Sequence, residues 1–359
     1  MQKKTIVHII QNLGRGGAET MLVTVLKHLN NYNNIVITLD SNNQFKDELQ
    51  CSHFYCLQTT SAWQMPKAAL QLKKILQQHQ VDMVHTHLFW PTIIARLAVP
   101  KKIPLLTTIH AFIATSLEYK HLHIKWLDKL TYRLRPTTII AVAKGALHQY
   151  FDFLKLQPYK SYALYTFADL SIFNIEKFAV EKSSTPLKII SVGALRTQKN
   201  YQYLLQAMHL LRHENVTLDI YGTGPLEAAL KSQLALQPAK VNFKGEVANM
   251  HTILPQYDVF TLASTFEGFS LAVLEAMAMK VPLLLSDIIS FKEQGVNTAM
   301  YFSLQDANSF VEQVYELLED KNKLTILSET AYKRVTRYFT LPIHLQGLND
   351  IYTEALGNK

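Results

Sequence analysis

Short apolar runs alternate with helical patterns along the first half of the chain. The run "TIVHII" at residues 5–10 predicts a buried strand, and "GRGGAETMLVTVLKHL" predicts a glycine turn followed by a helix. Further apolar runs are "IVITLD", "VDMVHTH", "PLLTTIH" and "TTIIAV". Helical patterns fall between several of them, near residues 67–79, 91–99, 116–134 and 144–154. This alternation predicts a parallel sheet covered by helices on both faces.

The periodicity lapses between Tyr165 and Pro186, in a mixed segment that ends in "KSSTP", and we place the boundary between two domains there. The alternation then restarts with "LKIISVG", "VTLDIYG", "VNF", "DVFTLA" and "PLLLSD". Three helical patterns, near residues 306–319, 321–337 and 341–356, finish the chain. The sequence therefore predicts an α/β fold with two doubly wound parallel sheets, in domains at residues 1–168 and 186–339.

Composition agrees with two ordered domains, because 359 residues exceed the size at which one core keeps growing and 48% of them are hydrophobic. The longest apolar runs are far shorter than the roughly 18 to 20 residues that cross a bilayer. The apolar run in "MQKKTIVHII" is too short for a signal-peptide core, so we expect a cytoplasmic protein. Cys51 and Cys56 are the only cysteines, and they are expected to be reduced thiols.

The net charge of +8 favours anionic partners, either nucleic acid, acidic phospholipid or phosphorylated small molecules. No long basic block or zinc-finger pattern is present, so nucleic acid is not an expected partner. The region 116–135, most of it in the stretch "EYKHLHIKWLDKLTYRLRP" at residues 118–136, has apolar residues on one side and basic residues mostly elsewhere. Such a helix either lies on an anionic membrane surface or packs its apolar face on its own domain.

Open parallel sheets bind ligands beyond the carboxyl ends of their strands, and glycines follow the first strand at Gly14, Gly16 and Gly17. "GRGGAE" resembles a dinucleotide-binding turn, with Asp40 where an acid would bind ribose. However, Glu19 occupies the position of the third glycine in that fingerprint. The turn is alternatively one whose N–H groups approach a phosphate or a sugar, or a tight turn with no ligand.

Two cations follow the strand in "SVGALRTQKN", Arg196 and Lys199, and they are suited to bind phosphate oxygens unless they are solvated surface charges. Gly222 and Gly224 in "YGTGP" make a strand-to-helix turn, which would also let the backbone lie close to a base or ribose.

Histidines end two of the predicted strands. His85 and His87 have the spacing of metal ligands, but the sequence shows no third ligand, so we predict no metal site. His110 stands alone at a strand end, where either a hydrogen-bonding or charge-stabilising role or a purely structural one is open.

The most informative stretch is "EGFSLAVLEAMAMKVP", in which Glu267 and Glu275 lie eight positions apart in an otherwise apolar segment. Gly268 and Ser270 are poor helix residues, so the helix is predicted to begin at Ser270 or Leu271, with Glu267 in the loop before it. Glu267 can then reach hydroxyls at the reacting end of a ligand. Glu275 can accept two hydrogen bonds from a diol such as ribose, and the N–H groups at the helix start are left for phosphate.

Together these stretches resemble family 4 of the glycosyltransferases, which retain anomeric configuration and take their sugar from a sugar nucleotide. Nearly the whole chain takes part, through "GRGGAE", "VDMVHTHLFW", "TTIH", "SVGALRTQKN", "LDIYGTGP" and "TFEGFSLAVLEAMAMKVP". The spacing of the two glutamates in the last stretch is the most specific part. The resemblance implies the GT-B fold, two facing Rossmann-like domains with a cleft between them, and a final helix at residues 340–359 that crosses back onto the first domain.

The resemblance also implies the roles of the site residues. Arg196 and Lys199 would hold the diphosphate, Glu267 the donor sugar and Glu275 the ribose, with Glu267, Arg196, Lys199 and His110 as the catalytic set. The other implied donor-binding residues are Gly16, Gly17, Gly222, Gly224, Gly268, Phe269, Ser270 and Leu271. The implied donor is a nucleotide diphosphate sugar, and the acceptor is a glycan, a lipid-linked saccharide or a small molecule. Neither a metal nor another cofactor is implied, and peripheral contact with the inner face of the cell membrane is open.

The chain departs from the family pattern at three places. The usual N-G-x-D turn reads "TFAD", Ser270 replaces a frequent glycine, and Lys280 replaces the glycine of the A-x-G-x-P segment. Two other functions stay open, a sugar-nucleotide epimerase of related fold and a nucleotide-sugar binding protein without turnover.

Overall fold

The structure, a computed structural model, describes residues 3–59, 61–115, 118–178, 180 and 186–357. The chain divides into two compact units. Unit 1 comprises Met1–Thr166 and Pro342–Lys359, and unit 2 comprises Phe167–Leu341. Of the segment in which the sequence places the domain boundary, residues 179 and 181–185 lie outside the described residues. No helix in the described ranges has the length and the hydropathy needed to cross a membrane.

Unit 1 is built on one parallel sheet. Its strands are β1 (Thr5–Ile10), β2 (Asn33–Thr38), β3 (His53–Cys56), β4 (Met83–His87), β5 (Leu105–Ile109), β6 (Thr138–Ala141) and β7 (Lys160–Ala163). They pair in the order β3-β2-β1-β4-β5-β6-β7. The helices are α1 (Gly17–Leu26), α2 (Met65–Gln78), α3 (Phe89–Ala98), α4 (Leu122–Leu134) and α5 (Lys144–Leu154).

Unit 2 repeats this plan with six strands in the described residues. They are β8 (Leu187–Val192), β9 (Val216–Tyr221), β10 (Val241–Gly245), β11 (Val259–Leu262), β12 (Leu283–Ser286) and β13 (Ala299–Phe302), in the order β10-β9-β8-β11-β12-β13. Its helices are α6 (Ile175–Phe178), α7 (Tyr201–Leu210), α8 (Glu227–Leu236), α9 (Met250–Ile253), α10 (Leu271–Ala278), α11 (Ile289–Gly295), α12 (Asn308–Glu319) and α13 (Lys321–Tyr338). The two doubly wound sheets that the sequence predicts are both present.

The central strands form because both of their faces are covered. β1, β4, β6, β11 and β12 are buried at every position, which agrees with the mainly apolar sequences of β1, β6, β11 and β12, whereas β4 buries two histidines and a threonine. In unit 1, Val7 and Ile9 of β1 point into a core with α2 and α3, while Ile10 on the opposite face packs with α1.

The sequence pattern misses three strands at the edges of the sheets. β3 and β7 are largely exposed or half-buried and pair on one side only, so their sequences need no apolar run. β13 is mostly buried and as long as β6, β11 and β12, but its run is not recognised in the sequence.

The last helix, α14 (Leu341–Ala355), returns to unit 1. Tyr352 is fully buried, and its hydroxyl lies 2.7 Å from Nδ1 of His85 on β4. Nδ1 of His344 donates a 2.7 Å hydrogen bond to the carbonyl oxygen of Tyr165. The C-terminal segment therefore completes the fold of the N-terminal unit.

Candidate functional site

The strand order of the unit 2 sheet reverses between β8 and β11, and the residues predicted to bind the donor follow these two strands. Arg196 and Lys199 belong to the turn after β8, and Glu267 follows β11. Ligands of doubly wound sheets bind at this switch point, beyond the carboxyl ends of the strands. The topology therefore gathers residues that are far apart in the sequence.

Lys199 and Glu267 form an ion pair at the switch point. Nζ of Lys199 donates to Oε1 of Glu267 at 2.7 Å, and the two side chains are only 16% and 10% exposed. Oγ of Ser264 donates to the same carboxylate oxygen at 2.8 Å. The sequence predicts both charged residues in the site but not that they pair. The Arg196 side chain is exposed.

The two loops that carry these charges are also joined through Gln198. Its side-chain Nε2 donates to the backbone carbonyl of Phe266 at 2.9 Å, and its backbone carbonyl accepts from the N–H of Thr265 at 2.9 Å. The positions of Lys199 and Glu267 are therefore fixed by backbone contacts as well as by their own ion pair.

Gly222 and Gly224 are required by the packing of two turns. Gly222 has φ +135°, and a Cβ there would lie 2.1 Å from the carbonyl oxygen of Gly193. A Cβ at Gly224 would lie 2.7 Å from both N and O of Leu195. The turn after β9 therefore presses on the turn after β8 and supports it from behind. This packing accounts for both glycines, and their contact with a donor remains a prediction.

Helix α10 begins at Leu271, as the sequence predicts, with Ser270 as its N-cap. The Ser270 side chain makes no capping bond, and the loop is held by Gln294 instead. Oε1 of Gln294 accepts from the N–H of Ser270 at 3.1 Å, and Nε2 donates to the carbonyl oxygen of Ser270 at 2.8 Å. Phe269 is buried against Phe339, with ring centroids 5.1 Å apart. The N–H groups of the first helical turn have no partner within the helix and remain suited to an anion.

Glu275 is a half-buried carboxylate one turn inside α10. Desolvation by burial raises its pKa to about 7. Among the described residues, no Lys, Arg or His side chain forms an ion pair with it. The carboxylate is therefore poorly compensated by the protein itself, which is the property expected of a group that accepts hydrogen bonds from a ligand.

The glycine turn of unit 1 leads into α1 as expected. Gly16 is the N-cap of α1 and Gly17 its first residue. A Cβ at Gly16 would lie 2.4 Å from Oε2 of Glu19, so that side chain folds back over the turn. Asp40 binds Asn12 at 3.0 Å and the N–H of Asn42 at 3.0 Å, which gives it a structural role in the neighbouring loop.

His110 does not stand alone at its strand end. Its Nε2 lies 3.1 Å from Nδ1 of His87. Burial lowers the pKa of His110 to about 3, so the ring is neutral and is suited to hydrogen bonding rather than to supplying a positive charge. The sequence shows no third histidine near His85 and His87. The sheet nevertheless places His8 beside them.

The predicted site residues divide between the two units. Gly16, Gly17 and His110 belong to unit 1, and the remaining predicted residues belong to unit 2. Within unit 2, the sequence pattern does not predict the residues that hold the site in place, most clearly Gln294 and Ser264. Ser264 lies three positions before Glu267, directly after β11, and that position is the only signal that could have marked it.

Two departures from the family pattern have structural solutions. Lys280 has φ +53°, the left-handed conformation that favours glycine, and its Nζ binds Glu329 at 2.6 Å. In "TFAD", the carboxylate of Asp169 accepts from N and Oγ of Ser171 at 2.9 and 2.6 Å. Both turns are therefore formed without the usual glycines.

Two family models match the chain in succession. The model for "Glycosyltransferase Family 4" matches residues 15–171, and the model for "Glycosyl transferases group 1" matches residues 186–320. This chain belongs to glycosyltransferase family 4. It is a sugar-transferring enzyme of the hexosyltransferase type, which confirms the resemblance inferred from the motifs.

Curated relatives of this family 4 glycosyltransferase span most of the chain. A UDP-Gal:alpha-D-GlcNAc-diphosphoundecaprenol alpha-1,3-galactosyltransferase of Escherichia coli is 26% identical over 82% of this chain and 80% of its own length. An N-acetylgalactosamine-N,N'-diacetylbacillosaminyl-diphospho-undecaprenol 4-alpha-N-acetylgalactosaminyltransferase of Campylobacter jejuni is 27% identical over 89% of this chain and 91% of its own length.

Solved structures confirm the expected GT-B fold. HepE of Anabaena, in complex with UDP and glucose, aligns with a TM-score of 0.83 at 15% identity over 98% of this chain and 100% of its own. A glycosyltransferase of Rickettsia africae aligns with a TM-score of 0.81 at 19% identity over 100% of both chains.

Proposed function

We propose that this glycosyltransferase moves a hexose from a UDP-sugar to a saccharide linked to a lipid diphosphate, in the assembly of a cell-surface glycan. The names of the Escherichia coli and Campylobacter relatives both specify a diphosphoundecaprenol-linked substrate, and the first specifies a UDP-sugar. HepE was crystallised with UDP and glucose. These features support UDP-hexoses as the first donors to test and a lipid-linked saccharide as the first acceptor.

The observation that carries the proposal is the arrangement in unit 2 of Lys199, Glu267 and the start of α10 around the switch point. A diphosphate beside the first turn of α10 would meet backbone N–H groups, and Arg196 and Lys199 would supply positive charge. Glu267 would then face the donor sugar, and Glu275 would accept hydrogen bonds from the ribose hydroxyls.

The transfer breaks the bond between the anomeric carbon and the diphosphate oxygen, which leaves with the electron pair. The acceptor hydroxyl forms the new bond to that carbon and passes its proton to the departing diphosphate oxygen. We propose that the new bond forms on the face that the diphosphate leaves, so that configuration is retained. Negative charge grows on the leaving oxygen, and cationic groups that bind it more strongly as it forms lower the barrier.

We propose that no metal takes part in this step. In the described part of the chain, the only group of three or more His, Cys, Asp or Glu side chains close enough to share one ion is the histidine set His8, His85 and His87. It contains no carboxylate of the kind that holds Mg²⁺ against a diphosphate. Arg196, Lys199 and α10 would therefore compensate the charge.

We further propose that the exposed side of α4 contacts an anionic membrane. Leu122 and Trp126, one turn apart, are 83% and 64% exposed, and Leu134 is also exposed. The buried side of the helix consists of Ile124, Asp128, Thr131 and Tyr132. Lys120 and Arg133 are exposed beside the apolar residues, a combination typical of helices that lie on acidic lipid. This position would bring the enzyme to a lipid-linked acceptor at the inner face of the membrane.

The enzymatic proposal is tested by incubating the protein with a panel of UDP-hexoses and a diphosphoundecaprenol-linked acceptor. We expect one donor to be consumed, with the new glycosidic bond in the configuration of the donor by NMR. Glu267→Gln should abolish transfer. Conversion of the donor sugar without acceptor would instead identify an epimerase, and UDP-sugar binding without turnover would identify a binding protein.

The membrane proposal is tested by co-sedimentation with vesicles. Binding to vesicles containing acidic phospholipid should fall steeply with salt, because each basic residue near the surface contributes roughly 1 kcal/mol. Leu122→Ser/Trp126→Ser should reduce binding at least about tenfold. Leu210→Ser/Leu236→Ser, which changes two exposed apolar residues of unit 2, is the matched control. Equal binding by the two double variants would contradict the proposed surface.

A further inference from the structure

Three histidines converge on one buried face of the unit 1 sheet. His8 on β1 and His85 on the neighbouring strand β4 are directly opposite each other in the pairing register, and His87 lies two residues further along the same face. The three side chains are 1%, 3% and 2% exposed. One ring nitrogen from each histidine lies within 4.8 Å of the others. The register of two adjacent parallel strands therefore builds a three-imidazole cluster.

The orientation of His8 is fixed by Asn34. The amide nitrogen of Asn34 donates to the carbonyl oxygen of Leu29 at 2.9 Å, so its oxygen must face Nε2 of His8, at 3.3 Å. An amide oxygen only accepts, and Nε2 of His8 therefore carries the proton. Nδ1 is left with a lone pair, and it is fully buried with no hydrogen-bond partner among the described residues.

His87 presents the same pattern. Its Nδ1 is engaged with His110 at 3.1 Å, and its Nε2 is buried with no hydrogen-bond partner among the residues described. His85 is held on both sides, by the hydroxyls of Thr108 and Tyr352 at 2.7 Å each. In His8 and His87, one ring nitrogen is hydrogen-bonded and the other has no partner within the described ranges. Histidines that bind metals commonly have this pattern, because the hydrogen bond fixes the ring and its tautomer.

A small cavity beneath α1 and α14 is lined in part by the three histidines. The space open to the centre of a water-sized sphere is about 10 Å³, enough for one ion or one water molecule. His344 and Tyr352 of α14 and Thr108 of β5 also line it, but most of its surface is apolar. Two buried imidazole nitrogens without a hydrogen-bond partner are unfavourable, so a group that bonds both of them is favoured.

We propose that His8, His85 and His87 bind one Zn²⁺ ion, with water or hydroxide as the fourth ligand. A set of neutral imidazoles suits Zn²⁺ and other late transition metals, whereas Mg²⁺ and Ca²⁺ require oxygen ligands. Ligation draws the three nitrogens from within 4.8 Å to about 3.3 Å apart, the edge of a tetrahedron with bonds of about 2.05 Å. His85 gives up one of its hydroxyl partners, which then binds the fourth ligand.

The ion has a structural role in this proposal. It cross-links β1 to β4 below α14 and takes no part in sugar transfer, which the residues of unit 2 carry out. Because the ligands are assembled only in the folded unit, binding free energy contributes directly to folding stability. A single water molecule bridging His8 and His87 is the competing occupant.

The experiment measures the metal content of the full chain after refolding with and without one equivalent of Zn²⁺, followed by dialysis. We expect one Zn²⁺ per chain and a rise in melting temperature of at least about 5 °C. Co²⁺ in place of Zn²⁺ should give the intense visible absorption of a tetrahedral site. Removal of the metal should lower the melting temperature while transfer activity at low temperature persists.

Variants locate the bound ion. His8→Gln and His87→Gln should each lower Zn²⁺ affinity by more than about 100-fold, and Asn34→Ala, which frees His8, by about 10- to 100-fold. His53→Gln/His79→Gln removes a histidine pair with ring centroids 4.5 Å apart outside the cluster and should change nothing. If these variants fail to fold, the Zn²⁺ content and melting temperature of the refolded, unaltered chain still test the proposal. The proposal is overturned if that chain retains no Zn²⁺, if its melting temperature is unchanged, or if the bound ion is lost with His53 and His79.

Discussion

Glu275 is the residue whose chemistry depends most on its surroundings. Among the apolar residues of α10, its carboxylate is desolvated, and its pKa rises to about 7. The group is thus partly protonated at neutral pH. If it accepts hydrogen bonds from the ribose hydroxyls, it must be ionised in the complex, and ligand binding is coupled to loss of a proton.

The affinity for UDP should therefore rise with pH. Below pH 7 binding first requires deprotonation of Glu275, and above it the carboxylate is already ionised, so affinity should increase from pH 6 and level off near pH 8. Glu275→Ala should weaken binding by about 1.5–3 kcal/mol. Glu275→Gln should also bind UDP weakly. Because Gln does not ionise, any pH dependence of binding that remains in this variant belongs to UDP itself. Calorimetry measures the affinity for UDP. An affinity unchanged in both variants would contradict the proposal that Glu275 binds the ribose.

Arg196 and Lys199 are expected to act on the transition state rather than on binding. Losing one donor to the leaving diphosphate typically costs about 10² to 10³ in kcat, with a smaller change in KM. Arg196→Ala should leave the melting temperature unchanged, because the side chain is exposed. Lys199→Ala, by contrast, should lower the melting temperature as well as kcat, because Oε1 of Glu267 then keeps only Ser264 as a partner.

The two losses need not add, because both residues would bind one diphosphate. Steady-state kinetics with a brief EDTA treatment as control checks this clamp. Activity abolished by EDTA, or a double variant within a few-fold of the parent, would show that the two residues are surface cations.

At the scale of elements, the site depends on turns that follow parallel strands. The turn after β9 packs on the turn after β8, and the turn after β8 carries Arg196 and Lys199. Cα atoms with side chains could not approach so closely. The glycines therefore position the charged residues even where they touch no ligand.

Gly222→Ala should lower the free energy of unfolding by about 3 kcal/mol or more, because φ is +135° and the new Cβ meets the Gly193 carbonyl. Gly245→Ala is a matched control, with φ +73° but no atom within 4 Å of the new Cβ. It should cost only about 1 kcal/mol. Urea denaturation compares the two, and equal losses would mean that backbone strain alone, without turn packing, explains Gly222.

At the scale of the whole molecule, the chain ends by completing the unit in which it began. Helix α14 contributes Leu348, Ile351 and Tyr352 to the buried face of unit 1. A segment close to the C-terminus is therefore part of the N-terminal core, and unit 1 is discontinuous in sequence.

Deleting residues 342–359 should destabilise unit 1 by several kcal/mol, since each buried apolar side chain contributes about 1.5–3 kcal/mol. Limited proteolysis should then cleave within residues 3–166 first. Deleting only residues 357–359, which follow the end of α14, should leave the cleavage pattern unchanged. If the longer deletion leaves residues 3–166 as resistant as before, α14 does not stabilise that unit.

The sequence by itself determined most of the elements and the positions of the candidate site. Central strands are buried on both faces, so β1, β6 and β11 required mainly apolar runs that are visible without a structure. Ligand sites of parallel sheets lie after strands, so Lys199 and Glu267 could be selected by position alone. Edge strands such as β3 and β7 carry no such constraint and were missed.

Only the tertiary structure decided which residues meet. The Lys199–Glu267 pair joins residues 68 positions apart, the clamp of Gln294 on Ser270 spans 24, and His8 reaches His85 through strand register. These contacts follow from strand order and register, which the periodicity of a single chain does not encode. The desolvation of Glu275 arises for the same reason, since burial is a property of everything packed around a side chain rather than of its neighbours in sequence.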